Sequence, residues 1–130
     1  MNRSIPEPLR QLVVERANNC CEYCRIPQAG RFVKFHVEHI LSRKHGGETA
    51  EGNLALACPF CNFNKGSDLG TFLGDEQLVR FFNPRKDVWE EHFEAANGVI
   101  YPKTDIGEAT AKILQFNVAE QVIYRKELFS

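Results

Sequence analysis

Cysteines with a regular spacing are the first feature of the sequence that could do chemistry. Cys21 and Cys24 form one Cys-x-x-Cys pair, and Cys58 and Cys61 form a second. A Cys-x-x-Cys turn presents two thiolates to one ion, and zinc prefers four such ligands in a tetrahedron. The two pairs therefore predict one structural zinc ion with no coordination position left open for substrate.

The sequence contains 5 cysteines, so Cys20 needs a separate interpretation. A Cys20-x3-Cys24 pair is also possible, but the two-residue gap from Cys21 matches the gap in the second pair. An odd count with two matched pairs favours a metal site over a disulfide scaffold. Cys20 is then a free thiol, and the alternative is that all the cysteines are core residues.

Polar residues between and after the two pairs could hydrolyse a phosphodiester bond. That reaction needs a base for the attacking water and a cation for the developing negative charge. His39 titrates near neutral pH, which suits a base. Glu38 offers an anionic oxygen ligand and Asn62 a neutral one. Such oxygen ligands describe a Mg²⁺ or Mn²⁺ site better than a zinc site.

The order of these elements carries a family resemblance. Between and after the cysteine pairs come His36-Val-Glu-His-Ile40, Gly46-Gly47, Asn53-Leu54, Asn62 and Lys65. In this order, residues 21–66 resemble the HNH endonuclease family, in the branch with two zinc-binding Cys-x-x-Cys pairs. The resemblance implies a ββα-metal nuclease core that the zinc ion holds together.

The resemblance also assigns roles to particular residues. It implies that His39 activates water, that Glu38 and Asn62 hold the catalytic divalent ion, and that Asn53 braces the loop and orients the base. The expected reaction is hydrolysis of DNA to 5′-phosphate and 3′-hydroxyl ends. The sequence departs from the commonest family pattern at Glu38, where Asp or His is frequent, and at Asn62, where the final His is frequent.

Basic residues near the motif are candidates for contacts with DNA. Arg43, Lys44 and Lys65 are the predicted phosphate contacts, although each could also be ordinary surface charge. His36 and His45 are the next candidates for the base, with a structural or solvated role as the alternative for each.

The overall charge does not by itself indicate a nucleic-acid protein. The net charge is −1, with 16 Lys and Arg against 17 Asp and Glu. We therefore expect any DNA binding to be local and sensitive to salt. Two other functions remain open: a non-catalytic zinc module that binds nucleic acid or protein, and a nuclease that acts on RNA.

The elements that must position these residues can be read from residue patterns. Pro6 to Ala17 has helical spacing and ends at Asn18-Asn19. Residues 31–40 and 53–57 are predicted strands around a loop at 42–53. Pro59 can start a short helix that Gly66 ends. Beyond Gly70, the predicted elements are strands at 78–82, 88–93 and 99–101 and helices at 104–116 and 118–129.

Together these patterns predict an α+β fold with a zinc-stapled ββα-metal core, additional short strands and C-terminal helices. We expect a single domain over residues 1–130, with the core at about 20–66 and an extension at 71–130. The aromatic residues of the extension are interpreted as core, namely Phe81, Phe82, Trp89 and Phe93. No apolar run approaches the roughly 20 residues of a membrane span, and no signal peptide is evident, so we expect a cytoplasmic protein of undetermined oligomeric state.

Overall fold

The computed structural model describes residues 5–28, 34–74 and 76–128. The chain divides into two compact units, Met1–Ser67 and Asp68–Ser130. Each unit combines helices with small antiparallel strand pairs, which confirms the predicted α+β class. None of the helices within the described ranges is long and apolar enough to cross a membrane.

The first unit begins with helix α1, Glu7–Arg16, which confirms the helix predicted from Pro6 to Ala17. The chain leaves the helix where Asn18 and Asn19 take left-handed φ angles of 54° and 59°. Asparagine tolerates this conformation better than most residues. The fully buried side chain of Val13 anchors the helix in the core of this unit.

A β-hairpin presents the predicted catalytic residues. Strand β1, His36–His39, pairs antiparallel with strand β2, Leu54–Ala57, so that His39 lies opposite Leu54. All four residues of β2 are buried. Strand β1 is shorter than predicted, since residues 34 and 35 lie outside it, and residues 31–33 lie outside the described ranges.

Helix α2, Pro59–Lys65, follows β2 directly and completes a ββα arrangement. Cys58 caps its N-terminus, where its sulfur accepts a hydrogen bond from the amide of Cys61. Proline at the first helical position costs nothing, because the missing N–H would have no partner inside the helix. The helix ends at Gly66, whose φ is 51°. The short helix predicted between Pro59 and Gly66 is thus confirmed.

The second unit contains three helices and four strands in its described residues. The elements are β3 (Gly70–Leu73), β4 (Gln77–Arg80), α3 (Trp89–His92), β5 (Phe93–Ala96), β6 (Val99–Pro102), α4 (Asp105–Ile113) and α5 (Ala119–Leu128). Strands β3 and β4 form one antiparallel pair and β5 and β6 another.

The strand predicted at 88–93 is wrong. Its residues form the helical turn α3, and strand β5 begins only at Phe93. Trp89 and Phe93 are four residues apart, a spacing that places them on one side of a helical turn. Their ring centroids lie 5.0 Å apart in the core. The two rings therefore pack against each other where the turn α3 meets strand β5. Their burial, with that of Phe81 and Phe82, confirms the interpretation of these aromatics as core.

Candidate metal centre and active site

The four paired cysteines form one buried cluster in the first unit. The sulfurs of Cys21, Cys24, Cys58 and Cys61 all lie within 4.8 Å of one another. The sulfurs of Cys24 and Cys58 are 3.8 Å apart. Tetrahedral zinc with Zn–S bonds of about 2.3 Å requires sulfur separations of about 3.8 Å. The donors present therefore fit a structural zinc ion.

Local hydrogen bonds give each Cys-x-x-Cys turn the same form. The amide of Cys24 donates to the sulfur of Cys21 at 3.4 Å, and the amide of Cys61 donates to the sulfur of Cys58 at 3.3 Å. Hydrogen bonds with Cys21 and the other thiols lower the pKa of Cys58 and raise the pKa of Cys61. The thiols thus compete to carry negative charge. A divalent cation among the sulfurs would stabilise the negative charge on all of them.

Cys20 lies outside the sulfur cluster. Its backbone pairs with Pro27 in an isolated bridge, and its side chain is partly exposed. Burial raises the pKa of its thiol, which favours the neutral form. Cys21 rather than Cys20 therefore provides the fourth sulfur, as the spacing of the pairs predicts.

Three of the predicted catalytic and metal-binding residues line one pocket in the same unit, and Asn53 is not among the residues that line it. The pocket has a volume of about 290 Å³ and is bordered by strand β1 and the end of helix α2. Glu38, His39 and Asn62 all line it, together with His36 and Arg43. The fold thus brings a carboxylate, an imidazole and an amide to one cavity from two separate elements.

His39 is held by a residue that the sequence did not single out. Its Nε2 lies 2.8 Å from Oγ1 of Thr49, in the loop between β1 and β2. Burial, and then the positive charges of Arg43 and Lys65, lower the pKa of His39. The imidazole is therefore biased toward its neutral form, which can accept a proton.

Asn53 braces the loop between the strands. Its Oδ1 accepts from the amide of Leu41 at 2.9 Å, and its Nδ2 donates to the carbonyl oxygens of Leu41 at 2.9 Å and Glu48 at 2.8 Å. Gly47 lies against the same contacts, and a Cβ there would overlap the carbonyl oxygen of Leu41. Asn53 therefore fixes the loop that carries Thr49.

Glu38 is buried, and both of its carboxylate oxygens have partners. The hydroxyl of Tyr23 donates to Oε2 at 2.5 Å, and Nζ of Lys65 lies 3.3 Å from Oε1. Burial raises the pKa of Glu38, whereas the charge of Lys65 and the hydrogen bond from Tyr23 lower it. The sequence did not point to Tyr23, because nothing in its spacing indicates a partner on strand β1.

The phosphate contact predicted for Lys65 does not fit its surroundings. Only 2% of the residue is exposed, and Nζ donates to the carbonyl oxygens of Ile40 at 3.0 Å and His39 at 3.4 Å in addition to Glu38. An ammonium group has three protons to donate, and these three acceptors use them. Arg43 and Lys44 are exposed, and their contact with phosphate stays a prediction.

Comparison with known proteins finds sequences that are similar to this chain. Residues 21–68 match the sequence pattern described as HNH endonuclease. Over 124 residues, the chain is 25% identical to Septu protein PtuB of Bacillus thuringiensis. The match covers 92% of this chain but only 45% of that relative, so the chain spans less than half of its length. No solved structure matches the chain significantly.

Proposed function

We propose that this chain is a metal-dependent nuclease that hydrolyses phosphodiester bonds in DNA, since residues 21–68 match the HNH endonuclease family. The observation that supports this most directly is the single pocket lined by Glu38, His39 and Asn62. These side chains can provide an anionic ligand for a divalent ion, a general base and a neutral oxygen ligand. A zinc ion in the cysteine cluster would hold together the two elements, β1 and α2, that present them.

His39 is the proposed general base. In the tautomer with its proton on Nε2, the ring donates to Thr49 and leaves the lone pair of Nδ1 for a water proton. Thr49 thereby sets the orientation of the ring, and in this tautomer Nδ1 is the nitrogen that reacts. Asn53 acts one step further away, since it fixes the loop on which Thr49 lies.

Glu38 and Asn62 are the proposed ligands of a Mg²⁺ or Mn²⁺ ion. A carboxylate offers about four lone-pair sites, so the bonds from Tyr23 and Lys65 leave capacity for a cation. Such an ion stabilises negative charge on the phosphate and on the leaving 3′ oxygen. Because Lys65 already balances part of the charge of Glu38, we expect weak ion binding until the substrate supplies a phosphate oxygen.

The ion pair between Glu38 and Lys65 keeps a second function open. A carboxylate already neutralised by Lys65 is compatible with a non-catalytic zinc module that binds nucleic acid or protein. Parallel assays on supercoiled DNA and on RNA, with and without Mg²⁺ or Mn²⁺, separate these functions. Divalent-dependent cleavage of DNA alone is the expected result, cleavage of RNA alone would change the substrate, and no cleavage of either would favour the binding module.

Glu38→Gln should lower DNA cleavage by at least about 10²-fold, since it removes the charge that holds the catalytic ion. Glutamine keeps the shape, and its one carbonyl oxygen can still accept from Lys65, although the amide nitrogen that then faces Tyr23 no longer accepts. Alanine is a poorer choice, because a buried Lys65 without its partner destabilises the fold. Zinc content should stay near wild type, and the protein should keep its native circular dichroism. Exposed Glu48→Gln is the matched control, and loss of zinc in proportion to activity would contradict two separate ion sites.

Thr49→Val should lower the cleavage rate by about fivefold, the effect of losing one neutral hydrogen bond of about 1 kcal/mol. Valine has nearly the same shape as threonine but cannot bond the ring of His39. The rate under saturating metal ion and DNA is the relevant measurement, because Thr49 should not affect binding of either. An unchanged rate would show that the contact of 2.8 Å does not orient the base.

A further inference from the structure

We propose that the two cysteine turns hold the carboxylate of Glu38 from both sides, with Tyr23 and Lys65 as positioning residues for the catalytic ion. This inference rests on the proposed function, because it treats Glu38 as a ligand of that ion. The contacts of Tyr23 and Lys65 connect the zinc centre to the active site. The roles proposed for His39, Glu38 and Asn62 do not include such a connection.

Tyr23 connects the first cysteine turn to Glu38. It lies within the turn itself, between Cys21 and Cys24, and its side chain is fully buried. Its hydroxyl donates a hydrogen bond to Oε2 of Glu38 at 2.5 Å. Because the sulfurs on either side belong to the cluster, the position of the hydroxyl depends on the cluster geometry.

Lys65 connects the second cysteine turn to the same carboxylate. It is the last residue of helix α2, whose first turn carries Cys61 and whose cap is Cys58. The ammonium group is fixed by the carbonyl oxygen of Ile40 as well as by Oε1 of Glu38. Helix α2 thus transmits the position of the second pair of sulfurs to the other oxygen of Glu38.

The contacts from Tyr23 and Lys65 fix the side-chain conformation of Glu38, which strand β1 alone leaves free. The strand fixes the backbone of Glu38, but a glutamate side chain still has three rotatable bonds, and the last one is broadly distributed. Bonds to both oxygens select one orientation of the carboxylate, so that its remaining lone pairs are presented in one fixed arrangement. Residues that orient metal ligands in this way typically change metal affinity by about 10–100-fold when removed.

The test is the affinity of the zinc-loaded full chain for Mn²⁺ alone, measured by electron paramagnetic resonance. Tyr23→Phe removes only the hydroxyl and should weaken Mn²⁺ binding by about 10–100-fold while zinc content stays at the wild-type level. At saturating Mn²⁺, the cleavage rate should return toward wild type, since the ion itself then holds the carboxylate. A purely structural role of Tyr23 would not give this dependence on Mn²⁺.

Two further variants control this experiment. Tyr101→Phe makes the same chemical change at an exposed tyrosine in the second unit and should leave Mn²⁺ affinity unchanged. In a Glu38→Gln background, Tyr23→Phe should have no further effect on Mn²⁺ affinity, because the hydroxyl acts through the carboxylate.

Each other outcome overturns a specific statement. Wild-type Mn²⁺ affinity in zinc-loaded Tyr23→Phe would remove Tyr23 from the positioning of Glu38. Loss of zinc or of the native fold in that variant would make Tyr23 a residue of the cysteine turn only. If wild type and Glu38→Gln bound Mn²⁺ equally, Glu38 would not be a ligand, and both the proposed catalytic site and the positioning role would be wrong.

Discussion

Replacing His39 with alanine should lower the rate of DNA cleavage by about 10²–10⁴-fold, the usual contribution of a positioned general base. Nε2 of His39 is held by Thr49. His39 lines the same pocket as Glu38 and Asn62. Binding of DNA should change little, because the predicted phosphate contacts and the ion ligands remain. Single-turnover rates at saturating DNA and Mg²⁺, beside binding measured in Ca²⁺, separate these two effects.

The pH dependence gives this prediction a second measurement. Only the neutral imidazole accepts a proton, so the wild-type rate should rise with pH and level off once His39 is deprotonated. Burial and the charges of Arg43 and Lys65 lower its pKa, which places the rise below the usual range of histidine. The alanine variant should lose this rise.

Variants of the other histidines complete the test. His45→Ala changes an exposed histidine and should leave the rate and the pH profile unchanged. Wild-type cleavage by the His39→Ala variant, with the same pH profile, would remove His39 from the mechanism. The base would then be sought at His36, which also lines the pocket, or at His45.

Much of the first unit could be predicted because its signals are local. Two Cys-x-x-Cys turns predict a four-sulfur site wherever the chain brings them together, and the sulfurs do cluster. Asn18-Asn19 and Gly66 end the two helices because their backbones take left-handed φ angles. Proline at the first position of α2 indicates where that helix begins.

The contacts that refine the site could not be predicted, because they join residues that are distant in sequence and follow no period. Tyr23 and Glu38 are 15 residues apart, and Glu38 and Lys65 are 27 apart. Thr49 reaches His39 from a loop whose path depends on Asn53 and Gly47. A charged residue such as Lys65 is interpreted as exposed by default, and only the fold shows that it is buried.

Cys58→Ser, or removal of zinc by a strong chelator, should unfold the first unit. Structural zinc contributes an apparent free energy of about 10–16 kcal/mol in small zinc-binding folds. That is comparable to the whole stability of an ordinary domain, about 5–15 kcal/mol. Serine is a good N-cap, so the start of helix α2 keeps a capping side chain and the loss is attributable to the metal. Zinc content, circular dichroism and amide hydrogen exchange across residues 5–28 and 34–67 are the measurements.

Cys20→Ser is the matched control for this prediction. It makes the same substitution one residue before the first ligand, at a thiol outside the cluster, and should keep a full complement of zinc. If zinc holds Tyr23 and helix α2 in place, loss of zinc should also release Glu38. It should then abolish Mn²⁺ binding, which can be measured independently of cleavage. Native circular dichroism and an unchanged melting temperature in fully zinc-free protein would contradict the structural role of the ion, because the sulfur cluster would then hold without it.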